Sequence, residues 1–164
     1  MGMEIERKFL VNTKLLPSGV QGIKIIQGYL HISDQKTIRV RISGELAYIT
    51  IKGPDKNGVR PEFEYAIPTE DARFMLANFC RNGQIEKIRR KINWAGKTWE
   101  IDEFFGENKG LWLAEVELDN RNESLELPVW VSKEVTGDSR FHNSVLSAHP
   151  YSSWELEDKK PDNQ

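Results

Sequence analysis

Alternating polar and apolar positions run along most of the chain and predict short β-strands. In MEIERKFLV, residues 3–11, Glu4, Glu6 and Lys8 share one face of the strand, and the apolar positions share the other. The same alternation returns in further segments separated by turn residues. The predicted strands cover residues 3–11, 24–32, 37–43, 46–52, 60–67, 84–94, 97–105 and 112–120. Such a succession of antiparallel strands predicts a mainly β fold, either a barrel or a sandwich.

Two segments have the pattern of helices rather than of strands. PTEDARFMLANFC offers Thr69 as an N-cap, followed by acidic residues in the first turn. GDSRFHNSVLSAHP offers Asp138 or Ser139 as an N-cap and Pro150 as a stop. We therefore predict a fold of the α+β class, mainly β, with few helices.

Composition fits an ordinary globular domain. The chain has 164 residues, of which 38% are hydrophobic, and this is enough to pack a core. A formal net charge of −2 argues against a nucleic acid or a membrane surface as partner. A single cysteine, Cys80, and the lack of a signal-peptide or membrane-helix pattern predict a cytoplasmic location. We expect one domain over residues 1–155, hairpin turns at Gly44 and Gly96, and a disordered tail over residues 156–164.

The polar faces of the predicted strands carry charges that are grouped by sign. The basic positions are Arg39, Arg41, Lys52, Lys87, Arg89 and Lys91, and the acidic ones are Glu62, Glu64, Glu100, Asp102, Glu115 and Glu117. A sheet with one face in solvent explains any single strand, but a solvated face more often mixes charges with Ser, Thr and Gln. A closed eight-stranded antiparallel barrel, with the charges in a water-filled lumen and helices packed on its apolar outside, explains the whole set.

The grouped charges indicate a ligand that has both signs of charge. Clustered guanidinium and ammonium groups suit phosphate oxygens, whereas carboxylates beside them suit a hard cation such as Mg²⁺ or Mn²⁺. Metal-assisted phosphoryl transfer needs this combination. The chain has no Gly-x-x-x-x-Gly-Lys loop, so it is not a P-loop enzyme. His31, His142 and His149 lack metal-ligand spacing and are predicted to be structural or surface residues.

The segment EIERK resembles the Glu-x-Glu-x-Lys signature of the CYTH domain, also called the triphosphate tunnel metalloenzyme family. The order of the later charged segments is similar too: RVR, TIK, EFE, KIR, EID, EVE and KEVTGDSRFHN. The resemblance extends over residues 3–149. It implies an eight-stranded β-tunnel and metal-dependent chemistry on triphosphates, most similar to the small bacterial enzymes that hydrolyse inorganic tripolyphosphate.

The resemblance also implies roles for individual residues. The metal-binding carboxylates would be Glu4, Glu6, Glu115 and Glu117. The phosphate-binding residues would be Lys8, Arg39, Arg41, Lys52, Lys87 and Arg89, with Lys133 and Arg140 from a late basic segment. Glu62, Glu64 and Asp102 would line the tunnel, and together with Lys8 they are the expected catalytic residues.

The substrate itself stays open at this level. Inorganic triphosphate is the expected substrate. One alternative is hydrolysis of an organic triphosphate, either a nucleoside triphosphate or thiamine triphosphate. Another is an adenylate cyclase activity of class IV type. Tyr29, Tyr48 or Trp99 could contact a nucleotide base. A catalytically silent module that binds phosphorylated ligands is a further alternative, although paired glutamates would then have no purpose. The apolar exterior could also support a homodimer.

Overall fold

Eight antiparallel strands close into a barrel in the computed structural model, which describes residues 2–56, 59–155 and 159. The strands are β1 (Gly2–Val11), β2 (Gly22–Ile32), β3 (Thr37–Ser43), β4 (Leu46–Lys52), β5 (Val59–Ile67), β6 (Ile85–Trp94), β7 (Lys97–Phe104), β8 (Trp112–Glu117) and β9 (Val131–Glu134). The helices are α1 (Thr69–Asn78) and α2 (Asn143–Ala148), with 3₁₀ turns at Thr13–Leu15, Gly106–Asn108, Ser139–Phe141 and Tyr151–Ser153. Apart from residue 159, the tail predicted over residues 156–164 lies outside the described residues.

The first strand closes the barrel because its two halves have different partners. Residues 2–5 of β1 pair with β5, and residues 6–10 pair with β8 on the opposite edge. The order around the barrel is β1-β5-β4-β3-β2-β6-β7-β8, and β9 adds to β1 beyond the end of β5. The closed eight-stranded barrel is confirmed. The ninth strand was not predicted, because four residues are too few to show an alternation.

Two tight hairpins explain why the register of the central strands is well defined. Gly44 has a φ of 60° between β3 and β4, and Ala95 and Gly96 have φ values of 48° and 77° between β6 and β7. The second turn has positive φ at both central residues, and the first has it only at Gly44. Both are two-residue turns that match strand twist, and glycine adopts positive φ without strain. The turns predicted at Gly44 and Gly96 are therefore confirmed.

Helix α1 covers part of the apolar outside of the barrel. Its Ala72 and Leu76 pack on Val40 of β3 and Ala47 of β4. The helix begins at Thr69, with Pro68 as its N-cap, so the cap lies one residue before the predicted one. The Thr69 hydroxyl instead donates a hydrogen bond to the backbone oxygen of Glu45.

Aromatic side chains cover the outside of the barrel near β1, β7 and β8. Trp99 is fully buried, and its ring centre lies 5.6 Å from that of Phe9 and 5.4 Å from that of Trp130. Neighbouring Glu100 lines the lumen, so Trp99 points away from it. The idea that Trp99 could contact a nucleotide base is therefore wrong.

Residues 139–148, here called the plug, enter one end of the barrel. Phe141 and Leu146 of the plug pack against Ile85, Phe104 and Leu113, which lie on the lumen face of β6, β7 and β8. The single helix predicted here is broken, because His142 has an extended backbone between a 3₁₀ turn and α2. Hence α1 packs outside the barrel as predicted, but α2 does not. None of the described helices has the length and apolar character needed to cross a membrane.

Replacing Trp99 with alanine is expected to lower the free energy of unfolding by about 3–5 kcal/mol, because it removes a fully buried aromatic ring. Equilibrium unfolding in urea, followed by circular dichroism, measures the change. The control is Leu46→Ala, whose side chain is largely exposed and should cost less than about 0.5 kcal/mol. Equal losses in the two variants would contradict the packing described for Trp99.

Candidate active site

The lumen contains a cavity of about 520 Å³ that is lined mainly by charged side chains. His142, Asn143 and Ser144 of the plug form part of its lining. The predicted site residues that line it are Glu4, Glu6, Lys8, Arg39, Arg41, Lys52, Glu62, Glu64, Lys87, Arg89, Glu115 and Glu117. Strands that are distant in the sequence therefore bring these residues together, as expected for a charged lumen.

The two signs of charge occupy different sides of the barrel. Carboxylates come from β7, β8, β1 and β5, which are neighbours around the barrel. Most of the arginines and lysines come from β3, β4 and β6 on the other side, with β2 contributing uncharged side chains. The lumen thus presents an acidic wall to a basic wall across one cavity.

Lys52 and Arg60 partly neutralise the acidic wall. The Lys52 ammonium lies 2.8 Å from Glu4 and 3.0 Å from Glu62, and Arg60 Nε lies 3.1 Å from Glu4. Burial would raise the pKa of Glu4, but Lys52 and Arg60 outweigh burial and lower it to about 2. The sequence did not lead us to predict Arg60 as a site residue, although it lies on the same face of β5 as Glu62 and Glu64.

Asp102 is on the inner face of β7, but its side chain is covered and is not part of the cavity lining. It is fully buried, and Arg89 binds it through two hydrogen bonds of 2.7 Å and 2.8 Å. The Lys87 ammonium is a third partner at 2.7 Å. Burial would raise the pKa of Asp102, but the two cations outweigh it and lower the pKa to about 2. Asp102 is thus on the lumen side of β7 but is covered by these two cations, and its contacts are those of a residue that positions Lys87 and Arg89.

The basic wall has an excess of positive charge. Arg41 has no carboxylate partner among the described residues, and its Nε instead donates a hydrogen bond of 3.1 Å to Gln27 Oε1. Burial lowers the pKa of Arg41 to about 10, and neighbouring Arg39 and Arg89 contribute in the same direction. Burial also lowers the pKa of Lys87 to about 7, although Asp102 opposes this change. Crowded cations of this kind favour an anionic ligand.

The acidic wall has an excess of negative charge. Within the described part of the chain, neither Glu6 nor Glu117 has an ion-pair partner, and the two lie opposite each other on β1 and β8. Burial and the nearby charge of Glu115 raise the pKa of Glu6 to about 7. The pKa of Glu117 is also raised, by burial and by Glu4 and Glu62. Both carboxylates would be stabilised by an added cation.

The donor chemistry of this wall suits a hard divalent cation. All of its ligating groups are carboxylate oxygens, which Mg²⁺ and Mn²⁺ prefer. In residues 2–56, 59–155 and 159, no three carboxylate, imidazole or thiol groups already form a cluster that could hold a metal ion. The unpartnered state of Glu6 and Glu117 is therefore the observation that fits a metal, since a bound cation would supply the missing positive charge.

Some predicted residues lie elsewhere. Lys133 is on β9 and Arg140 is in the plug, and neither is part of the cavity lining in the described residues. Arg140 pairs with Asp138 at 2.7 Å on the surface. Tyr29 and Tyr48 do line the cavity, as does His142, which the sequence had not placed there. Burial and the charge of Lys8 lower the pKa of His142.

The chain belongs to the CYTH family, because the model of the CYTH domain matches residues 2–145. A charged β-barrel lumen and the ordered charged strands had indicated this family, and the match confirms it. Membership implies a dependence on a divalent metal, in agreement with the unpartnered carboxylates.

Two similar proteins are both named as inorganic triphosphatases. One, from Acetivibrio thermocellus, is 42% identical over 154 residues, which cover 94% of this chain and 99% of the relative. The other is a crystal structure of the inorganic triphosphatase NE1496, with a TM-score of 0.65 and 31% identity over 90% of this chain and 95% of that one. A conserved protein from Pyrococcus furiosus shares the fold, with a TM-score of 0.54 and 21% identity over 73% of this chain and 80% of that one.

Two neighbouring glutamates are expected to change stability in opposite directions when each is replaced by glutamine in metal-free buffer. The pKa of Glu6 is raised from 4.5 to about 7, so its contribution favours folding at low pH and is lost as pH rises through 7. Glu6→Gln should therefore raise the free energy of unfolding at pH 8 by about 1–2 kcal/mol and change it little at pH 5.

Glu4→Gln is the matched control. Because the pKa of Glu4 is lowered to about 2, its ion pairs stabilise the protein above pH 4.5, and this stabilisation is lost only as pH falls through 2. The variant should therefore unfold more easily at pH 8. Urea unfolding in EDTA at both pH values measures the two effects, and a loss of stability in both variants at pH 8 would contradict the assignment.

Proposed function

We propose that this protein releases the terminal phosphoryl group of a triphosphate by hydrolysis, with Mg²⁺ or Mn²⁺ as cofactor. The proposed substrate is inorganic tripolyphosphate. The observation that carries the proposal is the pair of complementary charge excesses in one cavity. Among the residues that the structure describes, Arg41 lacks a carboxylate partner on one wall, and Glu6 and Glu117 lack a cation on the other. A complex of a polyanion with a divalent cation would compensate both walls at once.

The basic side chains would bind and orient the polyphosphate. The residues with this role are Lys8, Arg39, Arg41, Lys52, Lys87 and Arg89, and all of them line the cavity. Arginines suit the task because a planar guanidinium can donate two parallel hydrogen bonds to phosphate oxygens. Asp102 would hold Lys87 and Arg89 in place, as its three short hydrogen bonds suggest.

The acidic wall would hold the cation and orient water. Glu4, Glu6, Glu115 and Glu117 are the proposed metal-binding residues. When bound, a divalent cation neutralises phosphate charge and lowers the pKa of coordinated water. Glu62 and Glu64, which line the cavity from the neighbouring strand β5, would accept a hydrogen bond from the attacking water.

Two relatives named as inorganic triphosphatases support the inorganic substrate. A nucleoside or thiamine triphosphate is the second candidate, because Tyr29 and Tyr48 add aromatic surface to the cavity lining. The near-neutral net charge supports the view that neither nucleic acid nor a membrane surface is a partner, and the single cysteine supports action in the cytoplasm.

The proposal predicts rapid phosphate release from tripolyphosphate with Mg²⁺ or Mn²⁺ and none in EDTA. Glu117→Gln should lower the rate by about 100-fold, because it removes one proposed carboxylate from the cation. The control is Glu70→Gln, which changes an exposed residue of α1 and should leave the rate unchanged. The same assay with ATP and thiamine triphosphate compares the substrates.

Other outcomes would point to different functions. Release chiefly from ATP, or conversion of ATP to a cyclic nucleotide with pyrophosphate, would replace the inorganic substrate with a nucleotide. Tight metal-free binding of tripolyphosphate, without turnover of any substrate, would indicate a binding module and contradict the enzyme.

A further inference from the structure

Hydrogen bonds inside the barrel determine how the Gln27 amide is oriented. Arg41 Nε lies 3.1 Å from Gln27 Oε1, and a guanidinium group can only donate. The oxygen of the Gln27 amide must therefore face Arg41. Its nitrogen then faces Asn143 Oδ1 at 3.3 Å and the Tyr29 hydroxyl at 3.4 Å.

The orientation of the Asn143 amide follows in the same way. The Lys87 ammonium lies 3.0 Å from Asn143 Oδ1, and an ammonium group also can only donate. Asn143 Oδ1 thus accepts from two donors on the barrel wall, one from Lys87 on β6 and one from Gln27 on β2. This oxygen connects the plug to the basic wall.

The consequence is an amide nitrogen with no protein acceptor. Asn143 Nδ2 has no hydrogen-bond partner among the described residues, and the side chain lines the cavity next to Lys87. Both donor hydrogens are therefore available to a ligand that carries acceptor oxygens. Since the neighbouring groups are cationic, an anionic ligand is favoured over a neutral one.

We propose that Asn143 is a substrate-binding residue, whose Nδ2 donates to an oxygen of the phosphoryl group that lies nearest the plug. The inference rests on the proposed function and adds a residue that is uncharged and belongs to no strand. Oδ1 holds Lys87 and Gln27 in position while Nδ2 contacts the substrate. One side chain thereby joins the plug, the basic wall and the polyphosphate.

Two substitutions remove the proposed contact with substrate, and only one of them also removes the acceptor that positions Lys87. Asn143→Asp keeps an oxygen that can accept from Lys87 and Gln27, but it loses the donor and adds a negative charge. Asn143→Ala loses the donor and the acceptor together. Asn78→Ala is the matched control, because Asn78 lies exposed at the end of α1, outside the barrel.

The measurement is tripolyphosphate binding by titration calorimetry in EDTA, which needs neither metal nor turnover. We expect both Asn143 variants to bind at least ten-fold more weakly than wild type, since a hydrogen bond to a charged group is lost. Asn143→Asp should be the weaker binder, and Asn78→Ala should equal wild type. Thermal melting checks that each variant is folded, and Asn143→Asp keeps the contacts between plug and wall if the alanine variant does not fold.

Wild-type affinity in Asn143→Asp would overturn the proposal, because the residue would then act only as an acceptor for Lys87. Unchanged affinity in both variants would overturn it as well. The proposed function fails separately, when wild type binds tripolyphosphate but releases no phosphate with Mg²⁺ or Mn²⁺. In that case the affinities of the two variants relative to wild type still decide the role of Asn143.

Discussion

Compensation of charge inside a closed barrel is the constraint on which the rest of this structure depends. A buried ion costs several kcal/mol unless a partner and hydrogen bonds offset the loss of water. Fully buried Asp102 is tolerated because Arg89 and Lys87 surround it, and the same contacts orient those two cations toward the lumen. The ion pair between Lys8 and Glu115, at 3.2 Å, links β1 to β8 in a similar way where the first strand closes the barrel. Stability and placement of the binding groups thus have one physical origin.

Charge compensation is incomplete in one place on each wall. Among the described residues, Arg41 has a neutral amide rather than a carboxylate as its hydrogen-bond acceptor, and Glu6 and Glu117 lie opposite each other on β1 and β8. Like charges held together reduce stability, and a ligand that separates them regains that free energy on binding. The residues that weaken the empty barrel are therefore the ones expected to bind the metal and the polyphosphate most strongly.

The strand positions and their inward faces could be predicted because polar and apolar residues alternate with a period of two. The grouping of charges by sign then indicated which face lines the lumen. Arg60 follows the same rule, because it lies in the predicted strand 60–67 with the parity of Glu62 and Glu64, but it stands alone as a basic residue on that face. The burial of Asp102 could not be predicted, since it depends on two longer cations that cover it. His142 and Asn143 reach the cavity through the break between a 3₁₀ turn and α2, which is a tertiary effect that no local pattern records.

The plug has a consequence for how substrate enters the barrel and how product leaves it. An open tunnel could admit a new molecule at one end while the previous one leaves at the other. Here Phe141 and Leu146 pack against lumen-facing Ile85, Phe104 and Leu113 at one end, so arrival and departure share the opposite mouth. If the proposed substrate binds in this cavity, a longer phosphate chain would have to enter through that mouth with a free end first. Product would then leave before the next substrate enters.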